Sequence, residues 1–412
     1  MCAIWSAFCV PEIIPGLPGN SLQQTEGFLM RDSFEVSSSS GNYAIVSGAG
    51  LLADIVEKNP DAVFIVDGKL VRHIPSHISR VVVIEAVEAN KSLEAMSNII
   101  LQLRNYGVNR DSHLVAVGGG VIQDIATFAA SIYMRGITWT YMPTTLLGMA
   151  DSCIGGKSSI NVLGYKNLVG NFYPPEQVLI DLDFVGSLDE EQIVGGLYEA
   201  VKICYARGYK AFQEYLSDAP ALPISSFGAQ RVVMRALRAK KWFIENDEFD
   251  QKERLLLNFG HTFGHALEAG TGFGVSHGIA VGIGMLIAIE YADRRLWLSP
   301  QGVDATRQLT NYVRTLLGEG ENCAVNGPEQ IDLVLVLEKF NNDKKHRSDS
   351  YRMVVPRGDG ALELVSEPRT EAVRMDITAV YRNVLKSIGW DVRYQAYREA
   401  NTNPPLPPGE AG

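Results

Sequence analysis

Cysteine is scarce and badly placed for chemistry. The five (Cys2, Cys9, Cys153, Cys204 and Cys323) are scattered over 412 residues, their number is odd, and no CxxC pair occurs. This argues against a disulfide framework and a thiolate zinc site, and favours a reducing cytoplasm. Basic excess is also missing. A net charge of -10 gives no general surface for nucleic acid, although a pocket for a small anion needs only a few Lys and Arg. No run of about 18 uncharged apolar residues is present to span a membrane. The opening "MCAIWSAFCVPEIIPGLPGN" lacks a basic n-region and is broken by prolines, so it does not read as a signal peptide.

What is present is ordinary for a globular chain, with 46% apolar and 20% charged residues, and the length suffices for two domains. Residues 1–42, ending in a serine run, read as an irregular extension, and residues 391–412 read as a flexible, proline-rich tail. Between 43 and 187, "NYAIVSG", "AVFIVDG", "RVVVIEA" and "HLVAVGGG" are short Val/Ile-rich runs bounded by turn residues. They read as buried parallel strands. "KSLEAMSNIILQLRNYG" is an amphipathic helix stopped by Gly107. This alternation predicts an α/β domain with a mainly parallel sheet. From about Asp189 onward helix-favouring segments dominate, with "YRMVVPRGDGALELV" as the one clear hairpin. The domain boundary is placed near Ser187.

Four segments carry candidate chemistry. "LVAVGGGVIQD" sets three glycines between a strand and a helix, where backbone N–H groups can meet a phosphate. It is not the GxGxxG fingerprint, so an ordinary Rossmann dehydrogenase is poorly supported. Residues 142–175 form a long loop rich in Gly, Lys and hydroxyls, suited to an anion. "GGLYEAVK" places Glu199 and Lys202 three apart on one helical face, a spacing that most often means a surface ion pair. Finally, "NFGHTFGHALEAGTGFGVSHG" holds His261, His265 and His277, three of seven histidines. Imidazoles with a carboxylate suit Zn²⁺ where thiolates are missing. Spacing alone leaves His261 with His265, or His261 with His277, as the ligating pair. "NDKKHR" reads as a solvated basic turn.

In order, the blocks "GGGVIQD", "YMRG", "PTTLLGMADSCIGGKSSIN", "KNLVGNFYPP", "EAVK", "NFGHTFGHALE" and "NDKK" resemble the dehydroquinate synthase family of sugar phosphate cyclases. The resemblance spans roughly residues 43–390. It implies a Rossmann-like nucleotide-binding α/β domain (43–187) followed by an all-α metal- and substrate-binding domain (188–390), with the active site in the cleft between them. NAD and a divalent metal, Zn²⁺ or else Co²⁺ or another ion, are the implied cofactors. By motif match the metal ligands are Glu199, His261 and His277. The dinucleotide contacts are Asp67, Glu88, Lys91, Gly119, Gly120, Asp124, Thr144, Thr145, Leu147, Asp151, Ser152, Ser187 and Leu188, with Lys166 nearby. Lys157, Lys240 and Arg254 match residues that hold a substrate carboxylate. Asn167, Asn258, His265 and Lys345 (rather than Lys344) match a phosphate pocket, which Arg135 reaches from the other subunit of a homodimer. Lys202 and Asp250 lie near the reacting hydroxyls.

The resemblance further implies conversion of the keto acid phosphate DAHP to 3-dehydroquinate. The steps are transient oxidation, phosphate elimination, re-reduction, ring opening and aldol closure, so the enzyme is a lyase without net redox change. Asp250 stands where the family usually has Glu, and Ser187 where it has Thr; these departures bear on substrate. Competing expectations are a sister cyclase acting on sedoheptulose 7-phosphate, glucose 6-phosphate or amino-DAHP, and a glycerol dehydrogenase-like polyol dehydrogenase.

Overall fold

The computed structural model describes residues 30–163, 165–318 and 327–394. The expected arm upstream of Met30 and tail beyond Tyr394 lie outside the described residues. The first half contains β1 (Asp32–Val36), β2 (Tyr43–Gly48), β3 (Val63–Asp67), β4 (Val81–Ile84), β5 (His113–Gly118), β6 (Thr138–Pro143), β7 (Ile160–Val162), β8 (Tyr165–Val169) and β9 (Gln177–Asp181). Seven of these form one sheet in the order β1-β2-β9-β6-β5-β3-β4. Only the β1–β2 pairing in it is antiparallel. Helices α1 (Leu51–Lys58), α2 (Leu93–Asn105) and α3 (Gly120–Ile132) are the crossovers. Val63–Val66 and Leu114–Val117 are fully buried, because strands covered on both faces must be apolar throughout.

β4 and β5 flank β3 on opposite sides. The crossovers therefore diverge there and leave a crevice beyond the C-terminal strand ends, the usual place for a nucleotide in such sheets. Asp67 ends β3, and the triple glycine joins β5 to α3 at this edge.

Three local expectations are corrected. Asp32–Val36 is not part of an irregular arm but edge strand β1, in register from Asp32↔Ser47 to Val36↔Tyr43. Its single neighbour and alternating exposure explain why its sequence lacks the apolar run of the inner strands. Residues 142–175 are not one loop: they contain a helical turn (Gly148–Ser152) and the antiparallel hairpin β7–β8. The expected tail from 391 begins with a pairing, Val392–Arg393 (β13) lying parallel to Ile331–Asp332 (β10).

The second half is helical, as expected: α4 (Glu190–Arg207), α5 (Tyr209–Ser217), α6 (Ser226–Asn246), α7 (His261–Gly270), α8 (His277–Arg294), α9 (Pro300–Leu317), α10 (Leu333–Asn341) and α11 (Glu371–Ser387). The hairpin read from the sequence is β11 (Ser350–Arg357) with β12 (Ala361–Pro368). Helix α8 is buried from Gly278 to Ile289, which explains its apolar character all round. It touches α4 and α7 through glycines. A Cβ on Gly278 would fall on the backbone of Gly195 in α4, and one on Gly284 would fall on the Gly260 carbonyl at the start of α7. These close approaches bring the N-termini of α7 and α8 to the middle of α4.

Gly284→Ala is therefore expected to destabilise the helical half by roughly 1–3 kcal/mol, as overpacked cores do. Gly186, whose Cβ would meet no atom within 4 Å, should tolerate Ala within about 0.5 kcal/mol. Urea unfolding of the two variants checks the contrast.

Candidate active site

Glu199 lies mid-way along α4 and is fully buried, as is Lys202 one turn later at 1% exposure. The surface pair that the spacing alone suggests is not found: this i,i+3 pair is internal, as the family motif required. The Lys202 ammonium donates to Glu199 Oε2 and sits 3.5 Å from Asp151 Oδ2. Burial alone would lower the Lys202 pKa, but the two carboxylates outweigh it and raise it, so this lysine stays cationic. The other oxygen, Glu199 Oε1, is buried with no hydrogen-bond partner among the described residues. It lies 3.6 Å from His261 Nε2 and 3.4 Å from His277 Nε2.

Both imidazoles come from the first residue of a helix, α7 and α8. The second nitrogen of each ring is engaged. His261 Nδ1 is 3.2 Å from the Phe259 carbonyl, and His277 Nδ1 is 3.1 Å from Glu268 Oε2. Such outer contacts fix the ring so that Nε2 points inward. Burial, reinforced by the Lys202 charge, holds His261 well below its ordinary pKa. Burial also acts downward on His277, yet Glu199 and Glu268 push it up to about 9. His265 is close by: the ligating atoms of His261, His265 and His277 all lie within 4.8 Å of one another. The structure thus gathers four donors. An orphaned buried carboxylate oxygen flanked by two Nε2 atoms fits a divalent cation, which competes with a proton for that position.

Two cavities meet here. The smaller, about 250 Å³, is lined by Gly120, Asp124, Asp151, Ser152, Lys157, Lys202, Lys240, Asp250, Arg254, Asn258 and His261. The wider, about 860 Å³, includes Glu88, Lys91, Gly120, Asp124, Thr145, Leu147, Lys166, Asn167, His265, His277 and Lys345. Gly120 and Asp124 belong to both walls, so the triple-glycine turn adjoins the histidine cluster.

The smaller cavity is cationic at one end. Lys157 reaches Asp250 Oδ2 at 2.6 Å. Lys240 is held by Asp151 Oδ1 at 2.6 Å and the Ile154 carbonyl at 3.2 Å. Arg254 donates to the Glu248 carbonyl at 2.5 Å. Burial lowers the pKa of all three. Asp250 adopts a positive φ of 59°, a conformation uncommon outside glycine. Asn258 Nδ2 donates to the Leu255 carbonyl at 3.0 Å.

In the wider cavity, Lys91 is buried between Asp124 (3.1 Å), Asn167 (3.0 Å) and Glu88 (3.4 Å). Burial pushes Asp124 up to about 6, against the pull of Lys91. Lys166 lies over the Phe273 ring, 3.4 Å from its centroid. The Lys345 ammonium is buried with no partner, and burial lowers its pKa to about 8. The basic turn expected to be solvated is therefore partly internal.

Other expected positions lie apart from these cavities. Asp67 accepts from Lys69 N at 3.1 Å. Gly119 and Thr144 line neither cavity, although the next residue after each, Gly120 and Thr145, does. Ser187 borders a different cavity of about 280 Å³ with Asp181 and Asp183, and Leu188 packs on the core. Arg135 is exposed with φ 67°. Sequence reasoning missed Glu268 and Gln123. Glu268 follows His261 and His265 at helical spacing, a signal that was available. Gln123 exchanges hydrogen bonds with Ser152, a contact no spacing announces.

Comparison with known proteins places this geometry in a family. The model described as 3-dehydroquinate synthase N-terminal matches residues 81–195, and that described as 3-dehydroquinate synthase C-terminal matches 196–346. The 3-dehydroquinate synthase of Xylella fastidiosa (strain 9a5c) is 34% identical, over 82% of this chain and 83% of that protein. That of Saccharolobus solfataricus is 35% identical, over 68% and 78%. Among solved structures, 2-deoxy-scyllo-inosose synthase complexed with carbaglucose-6-phosphate, NAD+ and Co2+ shares the fold, with a TM-score of 0.73 at 23% identity, covering 84% of this chain and all of that one. ValA, a 2-epi-5-epi-valiolone synthase from Streptomyces hygroscopicus subsp. jinggangensis 5008 with NAD+ and Zn2+ bound, does so at 0.68 and 24% identity, covering 84% and 97%. The chain belongs to the 3-dehydroquinate synthase family.

Proposed function

We propose that this chain is an NAD- and divalent-metal-dependent cyclase that converts DAHP to 3-dehydroquinate with release of phosphate, a carbon–oxygen lyase. One observation carries the substrate choice. The smaller cavity gathers Lys157, Lys240 and Arg254 at one end, while His265 and the Lys345 ammonium, which has no hydrogen-bond partner among the described residues, face the adjoining wider cavity. A ligand with a carboxylate at one end and a phosphate at the other matches both charges. A neutral sugar phosphate has no carboxylate to make use of this cationic trio.

The nucleotide domain runs from β1 to about Ser187, and the metal and substrate domain from there to β13. Glu199, His261 and His277 would hold the cation, Zn²⁺ by its preference for imidazole and carboxylate, with His265 left for the phosphate. When bound, the metal polarises a substrate hydroxyl and NAD takes up and later returns one hydride. The protein's own residues do the rest. Lys157, Lys240 and Arg254 fix the carboxylate. Asn167, Asn258, His265 and Lys345 seat the phosphate; burial, reinforced by Lys345, holds His265 well below its ordinary pKa, so it stays neutral. Lys202 presents a permanent cation beside the reacting hydroxyls, and Asp250 orients Lys157. Seated phosphate can itself take the proton that must leave. The working unit is a cytoplasmic homodimer in which Arg135 of one subunit reaches the phosphate pocket of the other.

Purified chain with NAD⁺, Zn²⁺ and DAHP should release phosphate and 3-dehydroquinate in equal amounts, with no accumulation of NADH. Sedoheptulose 7-phosphate and glucose 6-phosphate should give none. Turnover of either neutral sugar but not of DAHP would overturn the substrate assignment, and net NADH from a polyol would indicate a dehydrogenase.

Anion affinity should depend on pH through Lys345. Its cationic form prevails below about 8, so the dissociation constant for inorganic phosphate, measured by calorimetry, should rise as pH increases through that value. Lys345→Gln should weaken binding below pH 8 and flatten this limb.

A further inference from the structure

Among the described residues the Lys345 ammonium has no hydrogen-bond partner to hold it, and that of Lys344 reaches the Asn167 carbonyl, at 3.4 Å. The placing of both ammonium groups therefore depends on the backbone of the turn between α10 and β11. That turn is closed by His346 N donating to the Asp343 carbonyl (3.0 Å) and Lys345 N donating to Asp343 Oδ1 (2.8 Å). It is tied to β11 by Arg347 N donating to the Ser350 carbonyl at 2.9 Å. One further tie runs through a side chain. The backbone N–H of Arg352 donates to His346 Nδ1 at 3.0 Å.

The His346 ring is not solvated, as a basic turn would lead one to expect. It packs against Phe340 and Tyr351, with ring centroids 4.9 and 5.1 Å away. Tyr351 is in turn fixed by its hydroxyl to Asn341 Oδ1 at 2.6 Å, and Arg369 lies over its other side, 4.9 Å from the centroid. Burial lowers the His346 pKa. That shift favours the neutral ring; with Nδ1 accepting from Arg352 the proton sits on Nε2, which is buried without a hydrogen-bond partner among the described residues.

We infer that His346 is a positioning residue for the phosphate subsite: by accepting from the Arg352 amide inside an aromatic slot, it sets the backbone that aims Lys344 and Lys345 into the wider cavity. The inference rests on reading that cavity as the phosphate subsite. His346 need not touch the anion. Its role is to remove freedom that Lys345, lacking any other anchor, would otherwise have, so that less is lost when the anion binds.

Two substitutions separate this role from general stability. In His346→Asn, Oδ1 stands the same number of bonds from Cα as Nδ1 and can accept the same N–H. His346→Phe keeps the aromatic packing and removes the acceptor. With full-length chain loaded with NAD⁺ and Zn²⁺, inorganic phosphate is titrated calorimetrically, and KM and kcat for DAHP are measured alongside the thermal midpoint. His346→Phe should bind phosphate about tenfold more weakly, the scale of one lost hydrogen bond. KM should rise in step and kcat should change little. His346→Asn should stay within about twofold of the parent. Unchanged phosphate affinity in a folded His346→Phe would overturn the inference. So would equal loss in both variants together with a lower midpoint, which would mark a structural role only. If the parent chain itself binds no phosphate, the subsite reading fails rather than the role of His346.

Discussion

A single buried carboxylate organises this molecule. Glu199 is fully enclosed, one oxygen taken by Lys202 and the other left between two imidazoles. Lys202 is balanced by Asp151, and Asp151 by Lys240. Charges of alternating sign thus run from α4 through the turn after β6 to α6, and so across both halves of the chain. Burial would raise the Asp151 pKa, but Lys240 and Lys202 outweigh it and hold the carboxyl well below its usual range. Removing one link of such a buried chain leaves its neighbour uncompensated, at a cost of roughly 3–5 kcal/mol. The same links join the cavity end that suits a carboxylate to the cradle that suits a cation.

The geometry depends on residues with no side chain. Helix α8 is gripped by α4 and α7 through backbone contacts at Gly278 and Gly284, which larger residues would forbid. Because His261 and His277 each open a helix, the close packing of three helices delivers both rings to one carboxylate. Helix starts carry a positive dipole end that disfavours a protonated imidazole; at His277 the Glu199 and Glu268 carboxylates act in the opposite direction and win.

The sequence announced some of this arrangement and hid the rest. The inner strands were legible because burial on both faces forces continuous Val and Ile, as in Val63–Val66. β1 was not, since an edge strand with one neighbour needs only alternating apolar residues such as Phe34 and Val36. β7 and β8 were not, since Leu163, Tyr165 and Leu168 are exposed and follow no buried pattern. The Glu199–Lys202 spacing was read correctly as one helical face, yet spacing carries no information on depth and by itself suggested a surface pair; only the family motif assigned both residues to the site. Depth likewise escaped the reading of Lys345, whose ammonium is buried, and of His346, which packs against Phe340 and Tyr351. Asp67 and Ser187 show the opposite limit: family motifs pointed to them, and neither lines the two joined cavities.

The central claim is that Glu199, rather than His265, completes the cation cradle with His261 and His277. Crystals grown with NAD⁺ and Co²⁺ and measured at the cobalt absorption edge test it directly. The account predicts one anomalous peak about 2 Å from Glu199 Oε1, His261 Nε2 and His277 Nε2, with His265 free of it. A peak ligated by the three histidines, with Glu199 outside its coordination shell, would contradict the account.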